Sequence, residues 1–126
     1  MISVAVLGYG TVGSGVVEVF RQNQEKIDRC AGDQVRIKYV LDLRDFPEDP
    51  VQELIVHDFE KIVSDESVDI VVEVMGGLEP AYTFVKRSLE AGKNVVTSNK
   101  ALVAAHGAEL LKLSLIHISE PTRPEP

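Results

Sequence analysis

The feature that most constrains this chain is an abrupt passage from apolar residues to glycines. Ile2–Leu7 is almost wholly apolar and stops at Gly8. Gly8-Tyr9-Gly10-Thr11-Val12-Gly13 follows, with Gly15 beyond. A short apolar run ended by glycine reads as a buried strand, and the pattern from Val12 onward reads as a helix. A GxGxxG motif between a strand and a helix is the context of a dinucleotide-binding turn. Each glycine has its own reason there. Gly8 permits the tight turn, Gly10 lets a pyrophosphate reach bare backbone, and Gly13 lets helix and strand pack closely. The start of the helix then offers unpaired N–H groups and a partial positive charge to phosphate. The alternative is a glycine-rich turn that binds nothing.

The rest of the chain repeats the alternation. Val12, Val16, Val19 and Phe20 are expected on one helix face. Polar residues 22–33, with Gly32, read as the end of that helix and a loop. VRIKYVL, residues 35–41, reads as a second strand, and DLRDFPEDP as a loop with two prolines and four acids. A short amphipathic stretch around residues 59–63 leads to a third strand over residues 68–74, closed by Gly76-Gly77. Ala81, Phe84, Val85, Ser88 and Leu89 share one face of a helix that ends near Gly92. NVVT is the fourth strand, and a last helix starts near Asn99. Short apolar strands alternating with helices imply an α/β fold, a doubly wound parallel sheet with helices on both faces.

In such a sheet, ligands bind outside the carboxyl ends of the strands. Asp42 ends the second strand, where a carboxylate would accept hydrogen bonds from both hydroxyls of the adenosine ribose and favour NAD. Arg44, two residues on, would hold a 2′-phosphate and favour NADP. The choice between NAD and NADP stays open. Met75-Gly76-Gly77 and Thr97-Ser98-Asn99-Lys100 are two further strand tips. Gly76 and Gly77 would admit the nicotinamide half against bare backbone, or form a simple turn. Ser98 or Asn99 is a natural helix cap. Lys100 opposes the helix dipole, so an anionic neighbour, cofactor phosphate or substrate carboxylate, would suit it.

GYGTVG, VVEVMGG and VVTSNKALVAAHG together resemble the nucleotide-binding domain of homoserine dehydrogenase, over roughly residues 1–112. The resemblance implies a Rossmann-type domain followed by a substrate domain that also dimerises. It implies reversible NAD(P)-dependent reduction of L-aspartate 4-semialdehyde to L-homoserine, in threonine, methionine and isoleucine synthesis. Gly8, Tyr9, Gly10, Thr11, Val12, Gly13, Asp42, Arg44, Gly76, Gly77, Thr97, Ser98, Asn99 and Lys100 are then the expected cofactor-binding residues. Lys100 matches the lysine of the family's T-x-N-K motif, near the nicotinamide and the reacting oxygen. It is the expected catalytic residue, through proton transfer or electrostatic hold. Glu73 also matches a family glutamate, for which strand packing is the simpler role.

The C-terminus departs from that pattern. LSLIHISEPTRPEP has no helical period and resembles a translated sequencing-library adaptor, so residues 113–126 are expected to be a tail outside the fold. The fragment is then expected to be inactive, and to dimerise only with the absent substrate domain. Two rivals are a stand-alone NAD(P)-binding or redox-sensing module and the first half of another dehydrogenase, such as one acting on aspartate.

Composition narrows the partners. A net charge of −7 without clustered Lys or Arg argues against nucleic acid and anionic membrane surfaces. The apolar N-terminus lacks a basic region and a cleavage site, and no apolar run approaches the ~18 residues of a membrane span. Cys30 is the single cysteine, so no internal disulfide forms, and a cytoplasmic location is expected. His57 and His106 have no second ligand at metal spacing, so no metal site is expected.

Overall fold

The computed structural model describes residues 1–118. Five strands form one parallel sheet: β1 (Ile2–Leu7), β2 (Val35–Leu41), β3 (Ile55–Val56), β4 (Val68–Glu73) and β5 (Asn94–Thr97). Their order is β3-β2-β1-β4-β5. The chain therefore builds outward from β1 in one direction, then returns to continue on its other side. The helices are α1 (Thr11–Gln22), α2 (Gln24–Ala31), α3 (Glu60–Val63), α4 (Ala81–Glu90) and α5 (Lys100–Ile118), with a 3₁₀ turn over Pro50–Leu54.

The alternation of side chains along β1 explains its almost wholly apolar character. Val4 and Val6 pack on one face with Val17 of α1 and Val51. Ala5 and Leu7 pack on the other with Phe59, Ile62 and Val71. Both faces are covered, so every residue of the strand but Ser3 is apolar. A third cluster, Val85, Leu89, Leu102 and Leu110, joins α4 to α5.

Register fixes the row of strand tips. Leu7 pairs with Leu41 on one side and with Glu73 on the other, and Glu73 pairs with Thr97. Leu41, Leu7, Glu73 and Thr97 thus lie in line across four strands. With neighbouring strands ~4.8 Å apart, the row is about 14 Å long. Gly8, Asp42, the glycines after β4 and the residues that open α5 all emerge just beyond it.

Four expectations differ from the structure. Residues 22–33 are not a loop: they contain α2, a helix with no buried residue. Polar ties hold it. Gln24 Nε2 donates to Val35 O at 2.7 Å, and Asp28 Oδ1 accepts from Val35 N at 2.9 Å and from Arg36 Nη1 at 2.8 Å. The two-residue β3, which makes a fifth strand, also lies beyond the four strands expected. The buried face of α1 is rotated from the one expected: Gly13 and Val17 are buried, with Val16 and Phe20 half-buried beside them. Val12 and Val19 are 53% and 54% exposed. The contact of Gly13 with the glycine turn sets this rotation. At the other end, α5 continues through Lys112 to Ile118, with Leu113 against the third cluster. Residues 119–126 of the expected tail lie outside the described residues.

Candidate functional site

The glycine turn carries three different constraints. Gly8 adopts φ +104°, where L side chains are strained, and its N–H donates to Leu41 O at 2.8 Å. A Cβ on Gly13 would stand 1.9 Å from Gly8 O. A Cβ on Gly10 would meet nothing within 4 Å. Gly13 is therefore fixed by packing. Gly10 faces open space at the N-terminus of the twelve-residue α1, which has no side-chain cap at its first turn. An open backbone approach onto uncapped N–H groups is what a phosphate requires. Thr11 and Val12 are exposed there.

The β2 tip closes onto the same turn. Asp42 Oδ2 accepts from Tyr9 N at 3.0 Å and from Arg44 Nη2 at 3.0 Å. Its Oδ1 accepts from Arg44 N at 2.9 Å and Arg44 Nε at 3.0 Å. The Arg44 guanidinium accordingly holds the Asp42 carboxyl down at about 2. Arg44 itself is 64% exposed and lies over the Phe46 ring. Tyr9 packs edge-on against Phe46 and donates its hydroxyl to Asp49 Oδ2 at 2.8 Å. Burial, then Asp49, push that phenol up to about 12. Gly8, Gly10, Asp42, Arg44, His57 and Met75 are among the residues lining a groove of about 520 Å³ over the tips of β1, β2 and β4.

The β4 and β5 tips form a second assembly. Glu73 is fully buried, and its carboxylate accepts from Met75 N at 2.8 Å and Thr97 Oγ1 at 2.5 Å. Asn99 caps α5: its Oδ1 accepts from Leu102 N at 3.0 Å. Its Nδ2 donates to Gly77 O at 2.5 Å, which ties the two tips together. Gly76 and Gly77 are exposed with φ +79° and +72°. Ser98 and Lys100 are exposed at the start of α5, and Lys100 makes no ion pair among the described residues. Lys100 does not line the groove with Asp42 and Arg44, so the site is two adjoining regions on one row.

Other polar residues are engaged elsewhere. His57 Nε2 lies 2.9 Å from Asp45 Oδ1, and His106 stacks on Tyr82 with centroids 3.9 Å apart. Cys30 is exposed. Among the described residues, no group of three His, Cys, Asp or Glu is arranged to hold a metal, and no helix is long and apolar enough to cross a membrane.

This geometry coincides with a known family. Residues 8–116 match the family described as "Homoserine dehydrogenase, NAD binding domain". The chain belongs to that family. It is 40% identical over 124 residues to the homoserine dehydrogenase of Lactococcus lactis, and 42% identical over 113 residues to that of Bacillus subtilis. Those alignments cover 92% and 87% of this chain, but only 28% and 26% of the relatives. The crystal structure of a homoserine dehydrogenase from Thiobacillus denitrificans superposes with a TM-score of 0.84 at 38% identity, over 92% of this chain and 27% of that one. The chain thus spans about a quarter of the length of the homoserine dehydrogenases it matches, and its α/β fold is that of their NAD-binding domain. NAD or NADP binding follows from the family. Sequence reasoning gave Glu73 a strand-packing role, to which the structure adds the hydrogen bonds it accepts from Met75 N, Gly76 N and Thr97 Oγ1. Its place at the very end of β4, just before the glycine pair, was the available signal.

Proposed function

We propose that this chain is the cofactor-binding part of an NAD(P)-dependent homoserine dehydrogenase, acting in the interconversion of L-homoserine and L-aspartate 4-semialdehyde. The observation that carries the reading is the single row of tips. It sets the open backbone at Gly10 and the tip that bears Lys100 on one edge of the sheet, two strands apart, with the glycines after β4 between them. The space that a Cβ at Gly10 would fill fits a diphosphate, cradled by the turn and the N-terminus of α1. Asp42 and Arg44 are placed for the adenosine ribose, and the backbone of residues 76–77 for the nicotinamide half. A bound nicotinamide accepts or supplies the hydride. Lys100 Nζ is placed to hold the substrate oxygen and move a proton to or from it. Recognition of the substrate's amine and carboxylate, and a homodimer, belong on this reading to the remaining length of the intact enzyme in the cytoplasm. Family membership and the Thr97-Lys100 tip favour this over a redox sensor or an aspartate dehydrogenase.

A chimera tests it, in which this chain replaces the matching segment of the Lactococcus lactis relative. It should oxidise homoserine with NAD(P), whereas the 126-residue chain alone should not. Lys100→Ala in the chimera should lower kcat about a hundredfold or more, with the cofactor Kd nearly unchanged. A soluble chimera that binds cofactor but turns over nothing, or a Lys100→Ala chimera with full kcat, would refute the assignment.

Cofactor choice depends on the Asp42–Arg44 pair. All four hydrogen bonds to Asp42 come from Tyr9 and Arg44. Ribose hydroxyls must therefore displace Arg44 to reach Asp42, while a 2′-phosphate would meet the exposed guanidinium directly. Asp42→Ala should shift the Kd ratio toward NADPH and Arg44→Ala toward NADH, each about tenfold. Parallel titrations with the two reduced cofactors measure this. An unmoved ratio in both variants would place the ribose elsewhere.

A further inference from the structure

Among the described residues, Glu73 is the one acid in the core, and no cation accompanies it. It is 0% exposed at the end of β4 and forms no ion pair among the described residues. Burying a carboxylate this way is costly unless donors surround it. Its Oε2 accepts from Met75 N at 2.8 Å and, more weakly, Gly76 N at 3.4 Å. Its Oε1 accepts from Thr97 Oγ1 at 2.5 Å. Thr97 Oγ1 in turn accepts from Asn99 N at 3.0 Å, and Asn99 Nδ2 returns to Gly77 O at 2.5 Å. The circuit closes: Glu73 to Thr97, Thr97 to Asn99, Asn99 to Gly77, and back along residues 75–77 to Glu73.

A neutral side chain would not serve as well. Two backbone N–H groups and one hydroxyl all donate into this carboxylate. A glutamine presents one oxygen; with that oxygen kept on the Met75 and Gly76 N–H groups, its amide would donate to Thr97 Oγ1, reversing that bond and leaving the Thr97 hydroxyl proton without its acceptor. The circuit sets two things at once. It draws the N–H groups of Met75 and Gly76 inward, fixing the loop that continues through the two left-handed glycines. It also holds Asn99, which caps α5 and so sets where Lys100 begins.

We infer that Glu73 is the positioning residue of the nicotinamide half of the site, locking residues 75–77 and the Lys100-bearing turn into one unit. This rests on the dinucleotide reading given above. It separates the site into an adenosine half built on Asp42 and Arg44, to which Glu73 makes no hydrogen bond, and a nicotinamide half that depends on it, with Met75 at the border between them.

The test is differential binding to the 126-residue chain. The probes are the reduced dinucleotide it binds more tightly, NADH or NADPH, and the matching adenosine half, ADP or 2′,5′-ADP. Glu73→Gln should weaken the dinucleotide about tenfold and reduce the fluorescence enhancement of bound nicotinamide, while the adenosine half changes less than about twofold. Thr97→Val, at the half-buried rim of the circuit, should act in the same direction, and Thr97→Ser should restore binding. If Glu73→Gln does not fold, the Thr97 pair carries the test alone. Equal weakening of both probes would reduce the circuit to fold maintenance and overturn the inference, as would no weakening of either. A folded parent chain that binds neither probe would overturn the dinucleotide reading itself.

Discussion

Gly10→Val should remove NAD(P)H binding almost entirely, by about a hundredfold or more in Kd, and leave the fold standing. The two halves of that expectation have separate grounds. A Cβ at Gly10 meets nothing within 4 Å, so the protein itself does not resist the side chain. Its φ of −87° is ordinary for any L-residue. Replacing a glycine at a helix N-cap by valine costs at most about 1 kcal/mol. The space the valine enters, however, lies directly over the uncapped first turn of α1. A diphosphate excluded from there loses several charge-assisted hydrogen bonds at once, each worth roughly 1.5–3 kcal/mol. Titration of parent and variant, with thermal melts of both, checks this. Equal affinities would mean that the phosphates bind elsewhere. A collapsed melting transition would mean that the open space around Gly10 is closed in solution.

What could be read from the sequence, and what could not, divides along physical lines. The strands β1 and β4 were legible as short, mostly apolar runs because both sheet faces are covered there, and β2 and β5 as β-branched stretches bounded by turn residues, although Val96 of the edge strand β5 is 58% exposed. The glycine turn was legible because its constraints are local: φ at Gly8 and contact distance at Gly13 act within six residues. The glycine that ends α4, Gly92, and a cap at Ser98 or Asn99, which falls to Asn99, were legible for the same reason. α2 was not legible, because a helix that sets a single apolar residue, half-buried Ile27, against the core shows no hydrophobic period. Gln24 and Asp28 hold it to β2 through polar contacts across the sequence. β3 escaped because two residues offer no period to detect. The circuit around Glu73 escaped for a third reason. Its bonded members lie up to 24 positions apart, and only the register of β4 against β5 brings Glu73 beside Thr97. The α1 face was misjudged because counting valines ignores the one residue that must touch the sheet. Once Gly13 is seated against Gly8, the rotation of the helix is settled, and Val12 and Val19 turn outward.

That same contact gives the largest expected effect on stability. Gly13→Ala should cost about 3 kcal/mol or more, at the upper end of overpacking changes. The added methyl would sit 1.9 Å from Gly8 O and 2.8 Å from Gly8 C. Both are backbone atoms, so no side-chain rotation relieves the clash. Gly8 cannot retreat freely either, since its N–H is tied to Leu41 O at 2.8 Å and its φ of +104° has little latitude. Relief must come from lifting α1 off β1, which opens the contact of Val17 with Val4 and Val6. Against a typical domain stability of about 5–15 kcal/mol, such a loss removes a large share of the folded population's margin. For a domain this size the melting temperature should fall by roughly 10–20 °C. Gly15 supplies the internal control. It lies on the same helix two residues on, and a Cβ there meets nothing within 4 Å. Gly15→Ala should therefore stabilise by about 0.5–1 kcal/mol through helix propensity. Opposite shifts in paired melts would establish that the turn is held by contact between two glycines. Similar shifts for the two variants would mean that α1 rides further from β1 than the 1.9 Å approach requires, and that the glycine turn owes its shape to something other than packing.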